Sequence, residues 1–275
     1  MILGYNTNGL AHHRLDDALD LLADLGYRGV ALTPDVPHLD LLRTDERDWE
    51  RTRAHLDRLR FRCIVETGAR YVLDARRKHW PNLLSRDEAA VERRLDYYRR
   101  AIRLANVLGA PGISIWSGPR EDGDDAEAAM GRLVSRLSRL LDAAAASGVA
   151  VCFEPEPGHL VDGLSRYREL RKRLGRPDLR TTIDIGHLVV TEPGPPEAHL
   201  AEWKDSLLNV QIDDARRGVH EHLPPGEGEI DFVPVFRELR RLGYGGLAAL
   251  ELSRDSHRAA DVAARAFRTL APLLA

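Results

Sequence analysis

Short apolar runs alternating with amphipathic segments, a length of 275 residues, and four late runs that each end on an oxygen donor predict a (β/α)8 TIM barrel. The alternation is the sign of βα units and a parallel sheet, and such barrels usually need about 250 residues. No shift in composition divides the chain, so residues 1–275 are expected to form one domain. The late runs are Val151–Phe153 into Glu154, Thr181–Ile183 into Asp184, Leu207–Val210 into Gln211, and Leu247–Leu250 into Glu251. In a closed parallel barrel the strand C-termini share one mouth, so these donors would become neighbours.

The elements follow in order. Ile2–Tyr5 reads as the first strand, and Leu15, Ala18, Leu19, Leu22 and Leu25 as the buried face of the first helix, stopped by Gly26 in a left-handed cap. Val30–Leu32 is the second strand and Asp45–Leu59 the second helix. Cys63–Glu66 is the third strand, followed by a long polar connection, Thr67–Ser85, and a helix running to about Leu108. Ile113–Trp116 is the fourth strand, and a helix from about Asp125 to Ala146 follows. The four donor-bearing runs complete eight strands; Asp231 is expected to cap helix seven, and Asp255–Leu274 to be the last helix. Strand parity sends Cys152, Thr182, Asn209 and Ala249 inward with the donors, and Cys63 outward if Glu66 points inward. The inward set is small or polar, as a catalytic barrel end requires.

Forty basic residues against 43 acidic leave a net charge of −3, so no global field attracts nucleic acid. Two cysteines, Cys63 and Cys152, are too few for a disulfide scaffold and suit a reducing compartment. The start lacks the pattern of a signal peptide, and no run approaches the ~20 apolar residues of a membrane span. A soluble, cytoplasmic protein is expected.

Three carboxylates and an amide oxygen suit Mg²⁺ or Mn²⁺ better than structural zinc. Glu251 could instead pair with Arg254, since a carboxylate at a strand end demands some cation. His187 follows Asp184 by three residues on the turn leaving the strand. It either caps and packs locally, against Pro193 for example, or orients a substrate hydroxyl or a metal-bound water. His220 and His222, at i and i+2, project to one side of an extended segment before the Pro- and Gly-rich run Pro224–Gly228. That run is either a stiff loop with satisfied histidines or part of the site; with no lysine after Gly228 it is not a phosphate loop. Glu156 follows Glu154 across Pro155 and is expected beside the substrate. The run Asp74–Lys78 could serve solubility or bind a substrate anion, whereas Arg171–Arg173 reads as a solvated helix end.

These motifs resemble the xylose-isomerase-like TIM-barrel superfamily, which includes ketose 3-epimerases, inosose and dehydroshikimate dehydratases, and the endonuclease IV group. The resemblance rests on Glu154, Asp184-x-x-His187, Pro225-Gly226-Glu227-Gly228-Glu229-Ile230 and Glu251. It implies a divalent metal, usually Mn²⁺, on Glu154, Asp184 and Glu251, with both glutamates moving protons, and His187 and an arginine near Arg217 contacting substrate. Gln211 stands where the family has a histidine ligand; a neutral amide oxygen would shift preference from Zn²⁺ and Co²⁺ toward Mn²⁺ or Mg²⁺. His220 and His222 fall where the endonuclease group binds a further zinc, but that group's histidines after strands three and four are replaced by Glu66 and Trp116-Ser117.

The leading expectation is an isomerase or epimerase of a small polyhydroxy ketone or sugar. Glu154 and Glu251 would be acid and base, and Asn6, Glu66, Glu156, His187, Arg217, His220 and His222 would surround the substrate. The runner-up is a dehydratase of a keto-cyclitol or related acid, with His220 or His222 protonating the leaving hydroxyl and Arg70, Arg77, Lys78 and His79 available to an anion. A sugar-binding barrel without activity is the third. The expected partner is a small sugar or cyclitol, with no nucleic acid or membrane; a homo-oligomer is compatible with the fold.

Overall fold

The computed structural model describes residues 1–274. Eight parallel strands close into a barrel: β1 (Ile2–Asn6), β2 (Gly29–Leu32), β3 (Arg62–Glu66), β4 (Gly112–Ile115), β5 (Ala150–Phe153), β6 (Arg180–Asp184), β7 (Leu207–Ile212) and β10 (Leu247–Leu250). Between the last two, β8 (Asp214–Arg216) and β9 (Val219–Leu223) form an antiparallel hairpin. The main helices are α1 (Leu15–Leu25), α2 (Glu46–Leu59), α3 (Glu88–Leu108), α4 (Ala126–Ala145), α5 (Leu164–Leu174), α6 (Ile185–Thr191), α7 (Phe232–Arg241) and α8 (Ala259–Leu270). Around the ring the order is β1, β10, β7, β6, β5, β4, β3, β2, so the strand ends bearing Glu154, Asp184, Gln211 and Glu251 form one continuous arc.

The caps lie where the residue types demand them. Asp45 opens α2 with a reciprocal box to Asp48, and Asp87, Asp125 and Asp231 accept N–H groups at the starts of α3, α4 and α7. Gly26 ends α1 at φ 105°, the left-handed conformation expected of it. The last helix is shorter than the sequence pattern suggests, because single 3₁₀ turns at Ser256–Arg258 and Ala271–Leu274 flank α8.

Interior contacts follow the parity argument. Ser114 Oγ meets Thr182 Oγ1 at 2.8 Å although β5 separates their strands, and Asn209 Nδ2 donates to Glu66 Oε1 at 2.8 Å from the far side of the ring. Both contacts must cross the barrel lumen. Ala31, Ile64, Leu247 and Ala249 make a small apolar cluster apart from the main strand–helix core. Gly4 and Gly29 make room for it: a Cβ at either would stand 2.6 or 2.4 Å from Leu247 Cδ1. Cys63 packs outward in the strand–helix core, Cys152 does not join that core, and both are free.

No helix among the described residues is long and apolar enough to cross a membrane.

Candidate active site

A cavity of about 450 Å³ opens at the C-terminal mouth. Its wall includes Asn6, Glu66, Glu154, Glu156, Gln211, His220, His222 and Glu251, eight of the residues expected from sequence. Asp184 stands just behind, with a carboxylate oxygen within 4.8 Å of oxygens of Glu154 and Glu251. Gln211 pairs in register with Asp184 on one side and Ala249 on the other. Two atoms of this group, Asp184 Oδ2 and Gln211 Oε1, are buried with no hydrogen-bond partner. Buried polar atoms are rarely left so. An orphaned carboxylate oxygen and amide oxygen beside two further carboxylates fit a hard divalent cation.

The electrostatics agree. Burial, followed by repulsion from Glu156, Glu251, Glu66 and Asp184, drives Glu154 well above the ordinary carboxylate range. Burial also raises Glu251, although His222 acts against it. Glu66 is pushed up to about 8 by burial and then by Glu251, and Glu156 to about 8 by burial against the opposing pull of His222. Asp184 goes the other way: burial disfavours its charge, but His187, His222 and the His187 N–H at 2.9 Å hold it below the usual range. So many carboxylates in one dry pocket call for protons or a cation.

The structure revises two expectations. His187 does not line the cavity; its Nδ1 lies 3.5 Å from Glu154 and 4.0 Å from Glu156, so the ring backs those carboxylates instead of facing the lumen. Burial lowers its pKa to about 4 against the opposing pull of Asp184. Arg217 turns away altogether: its guanidinium donates to the carbonyls of Glu192 and Gly194 at 3.1 and 2.9 Å on the exposed side of the hairpin. The hairpin turn at Gly218 carries it outward, a local reversal that the apolar pattern does not signal. Nor does Glu251 pair with Arg254; its Oε1 accepts from Asn8 Nδ2 at 2.8 Å.

His220 and His222 both reach the cavity from β9, their ring centroids 5.1 Å apart and 4.9 and 5.6 Å from that of His187. These three rings form a second group with ligand spacing. His222, however, sits 2.7 Å from Asp213. Burial would lower its pKa, but Asp213, Glu251 and Asp184 outweigh burial and raise it to about 10. With two orphaned oxygens among its donors, the carboxylate group is the better site for a hard cation.

Sequence reasoning missed Asn8, Asp213 and Asp214. Asp213 Oδ1 accepts from Gly186 N at 3.0 Å, and a Cβ on Gly186 would come within 2.1 Å of that oxygen. Asp214 accepts from the backbone N–H of Ala215, Gly226, Gly228 and Ile230 at 2.8–3.0 Å. The Pro- and Gly-rich run therefore wraps the protein's own carboxylate. Two adjacent aspartates just past a strand, followed by alternating glycines, are the signal that could have found this.

A model of the family described as xylose isomerase-like TIM barrel matches residues 19–273. L-ribulose-5-phosphate 3-epimerase UlaE of Escherichia coli (strain ATCC 8739) is 28% identical over 257 residues, covering 90% of this chain and 86% of that protein. Among solved structures, D-allulose 3-epimerase from Methylomonas sp. superposes with a TM-score of 0.80 at 18% identity, covering 100% of this chain and 98% of that one. The IOLI protein with a bound zinc atom gives 0.80 at 17%, covering 100% and 98%, and the probable 3-DHS dehydratase AsbF from Bacillus anthracis 0.78 at 18%, covering 98% and 99%. At such identities the superpositions speak for the fold alone; the family match spans nearly the whole sequence. The chain belongs to the xylose isomerase-like TIM barrel family.

Proposed function

We propose that this protein is a divalent-metal-dependent epimerase or isomerase of a small polyhydroxy ketone, working through an enediolate, in the cytoplasm, with residues 1–275 as one catalytic domain. Its class, a sugar epimerase- or isomerase-like enzyme, rests on the family and on the epimerase relatives. The observation that carries the metal dependence is the pair of orphaned oxygens, Asp184 Oδ2 and Gln211 Oε1, beside Glu154 and Glu251. Mn²⁺ is the favoured ion on the hardness of four oxygen donors. Held by these residues, such an ion would polarise a substrate carbonyl and so acidify the neighbouring C–H.

The rest of the chemistry belongs to the chain. Glu154 and Glu251 both line the cavity, and burial raises the proton affinity of each. Each carboxylate can accept a proton and return one to substrate in the cavity. One takes the proton from carbon and the other returns a proton to the opposite face. Asn8 holds Glu251 through its 2.8 Å bond, and His187 backs Glu154. Asn6, Glu66, Glu156, His220 and His222 offer hydrogen bonds to substrate hydroxyls from the wall.

One observation favours a second reading. His222 faces the cavity and is held protonated by Asp213, so it could protonate a departing hydroxyl, as a dehydratase requires. Incubation of the metal-loaded enzyme with ketoses and keto-cyclitols in D₂O, followed by mass spectrometry, separates the two. An epimerase incorporates carbon-bound deuterium without loss of water; a dehydratase releases water. Glu154→Gln and Glu251→Gln should each slow exchange about 10²–10⁴-fold. Bound ketose with no exchange and no mass change across the panel would leave only a sugar-binding barrel.

A further inference from the structure

Basic side chains gather on one side of the barrel mouth. Metal-binding oxygens occupy the arc β5, β6, β7 and β10, whereas the wall that continues through β1, β2 and β3 presents Asn6, Asn8, Thr33 and Glu66, the last with its pKa pushed up to about 8, then Arg70 and Lys78. Arg254, just past Glu251, joins them on the cavity wall.

The segment carrying Arg70 and Lys78 is held in place. Arg94, fully buried, donates to the carbonyls of Pro81, Thr67 and His79 at 2.5, 3.4 and 2.7 Å. His79 Nδ1 lies 2.7 Å from the Gly68 carbonyl, and the Arg70 N–H reaches Asp35 at 3.0 Å. Two non-glycine residues adopt positive φ here, Ala69 at 47° and His79 at 63°. Such conformations are disfavoured for residues with a Cβ and persist only where surroundings over-determine them. They bracket the two cations.

These cations have donors to spare. The Arg70 guanidinium makes only long contacts, 3.7 Å to Asp35 and 3.5 Å to the Asn8 carbonyl. Arg254 gives one N–H to the His220 carbonyl at 3.0 Å. Lys78 forms no salt bridge among the described residues. Its pKa is lowered first by burial, then by Arg70 and Arg254 against the opposing pull of Glu156 and Asp35.

We propose that Arg70, Lys78 and Arg254 form a subsite at the rim of the cavity for an anionic group, phosphate or carboxylate, at one end of the substrate. Together with the epimerase reading, on which this part rests, it makes the substrate an acidic polyhydroxy ketone and not a neutral sugar. Charge-assisted hydrogen bonds of this kind give both affinity and orientation.

Two measurements test the subsite. The first is calorimetric titration of the metal-stripped protein with inorganic phosphate and, separately, with acetate. Saturable binding of at least one is expected, weakened about tenfold or more in Lys78→Met and Arg254→Met and at raised salt, with both variants melting like the parent. No saturable binding of either anion, or binding indifferent to both variants, overturns the inference. The second compares deuterium exchange by the metal-loaded enzyme into a neutral ketopentose, its terminal phosphate ester and the corresponding keto-acid. Preference for one acidic substrate by about tenfold or more, collapsing in Lys78→Met, supports the subsite and says which anion it takes. Equal exchange of all three in parent and variants defeats the subsite and leaves the epimerase reading standing. Lys78-dependent phosphate or acetate binding with no exchange of any ketose supports the subsite and defeats the epimerase reading.

Discussion

Replacing Asp214 tests how the hairpin and its following loop are organised. Asp214 Oδ2 accepts from Gly226 N at 2.8 Å and Gly228 N at 2.9 Å, while Oδ1 accepts from Ala215 N and Ile230 N, each at 3.0 Å. Asp214→Asn keeps the shape but allows only one oxygen, so an amide NH₂ must face two backbone donors. A hydrogen bond to a charged group contributes about 1.5–3 kcal/mol net, so loss of two predicts destabilisation of roughly 3–6 kcal/mol. Relaxation of the loop into solvent brings the expectation to the lower end. Gly228→Ala should act similarly, since its Cβ would stand 2.2 Å from Asp214 Oδ1. Urea unfolding followed by circular dichroism gives the free energy, and metal analysis of the folded variant should still find the parent stoichiometry, because the loop supplies no ligand. A change within about 0.5 kcal/mol, the range of a neutral surface substitution, would refute the claim that this carboxylate holds the loop.

The remaining predictions concern the carboxylates. Glu251→Ala should lower bound divalent metal well below the parent stoichiometry by elemental analysis; tight, stoichiometric metal surviving it would count against the assignment. Gln211→His should retain metal and move selectivity toward zinc or cobalt in competition titrations, since imidazole is the softer donor. The metal-stripped protein should lose stability as pH rises. Glu66 and Glu156 have pKa values raised from 4.5 to about 8, so the folded chain keeps protons that the unfolded chain has released. The resulting stability is fully present below about pH 4.5 and is lost as pH rises through about 8; each retained proton costs about 1.4 kcal/mol for every pH unit climbed between those limits. Above about pH 6.5, where the opposite contribution of the buried histidines is complete, melting temperatures should therefore fall toward pH 9 without metal and fall less with it; a flat profile there without metal would contradict the burial argument.

Most of the barrel was legible because strand signals are local. Each donor ends an apolar run, and period-two parity alone put Thr182 and Asn209 in the lumen, where Ser114 and Glu66 meet them. The hairpin was not legible. Its strands, Asp214–Arg216 and Val219–Leu223, are short and polar, without the apolar alternation that marks a half-buried strand. The side to which Arg217 turns carries no local signal for that reason, and Pro224–Gly228, readable as a stiff loop or as part of the site, gives no local sign that it wraps Asp214. His187 is expected at the site and packs against Glu154, but spacing along a turn does not say on which side of that carboxylate its ring settles. The buried Arg94, which anchors the Arg70–His79 segment from α3, also lay beyond a local reading, since its partners are 13 to 27 residues away.

Everything proposed for the chemistry depends on Glu154, Asp184, Gln211 and Glu251 together holding one divalent cation. Anomalous scattering from crystals grown with Mn²⁺, collected on either side of the manganese edge, tests this most directly. A single strong peak is expected at the barrel mouth, coordinated by one oxygen from each of these four side chains. A peak among the rings of His187, His220 and His222 instead, or none at the four strand ends, would contradict it.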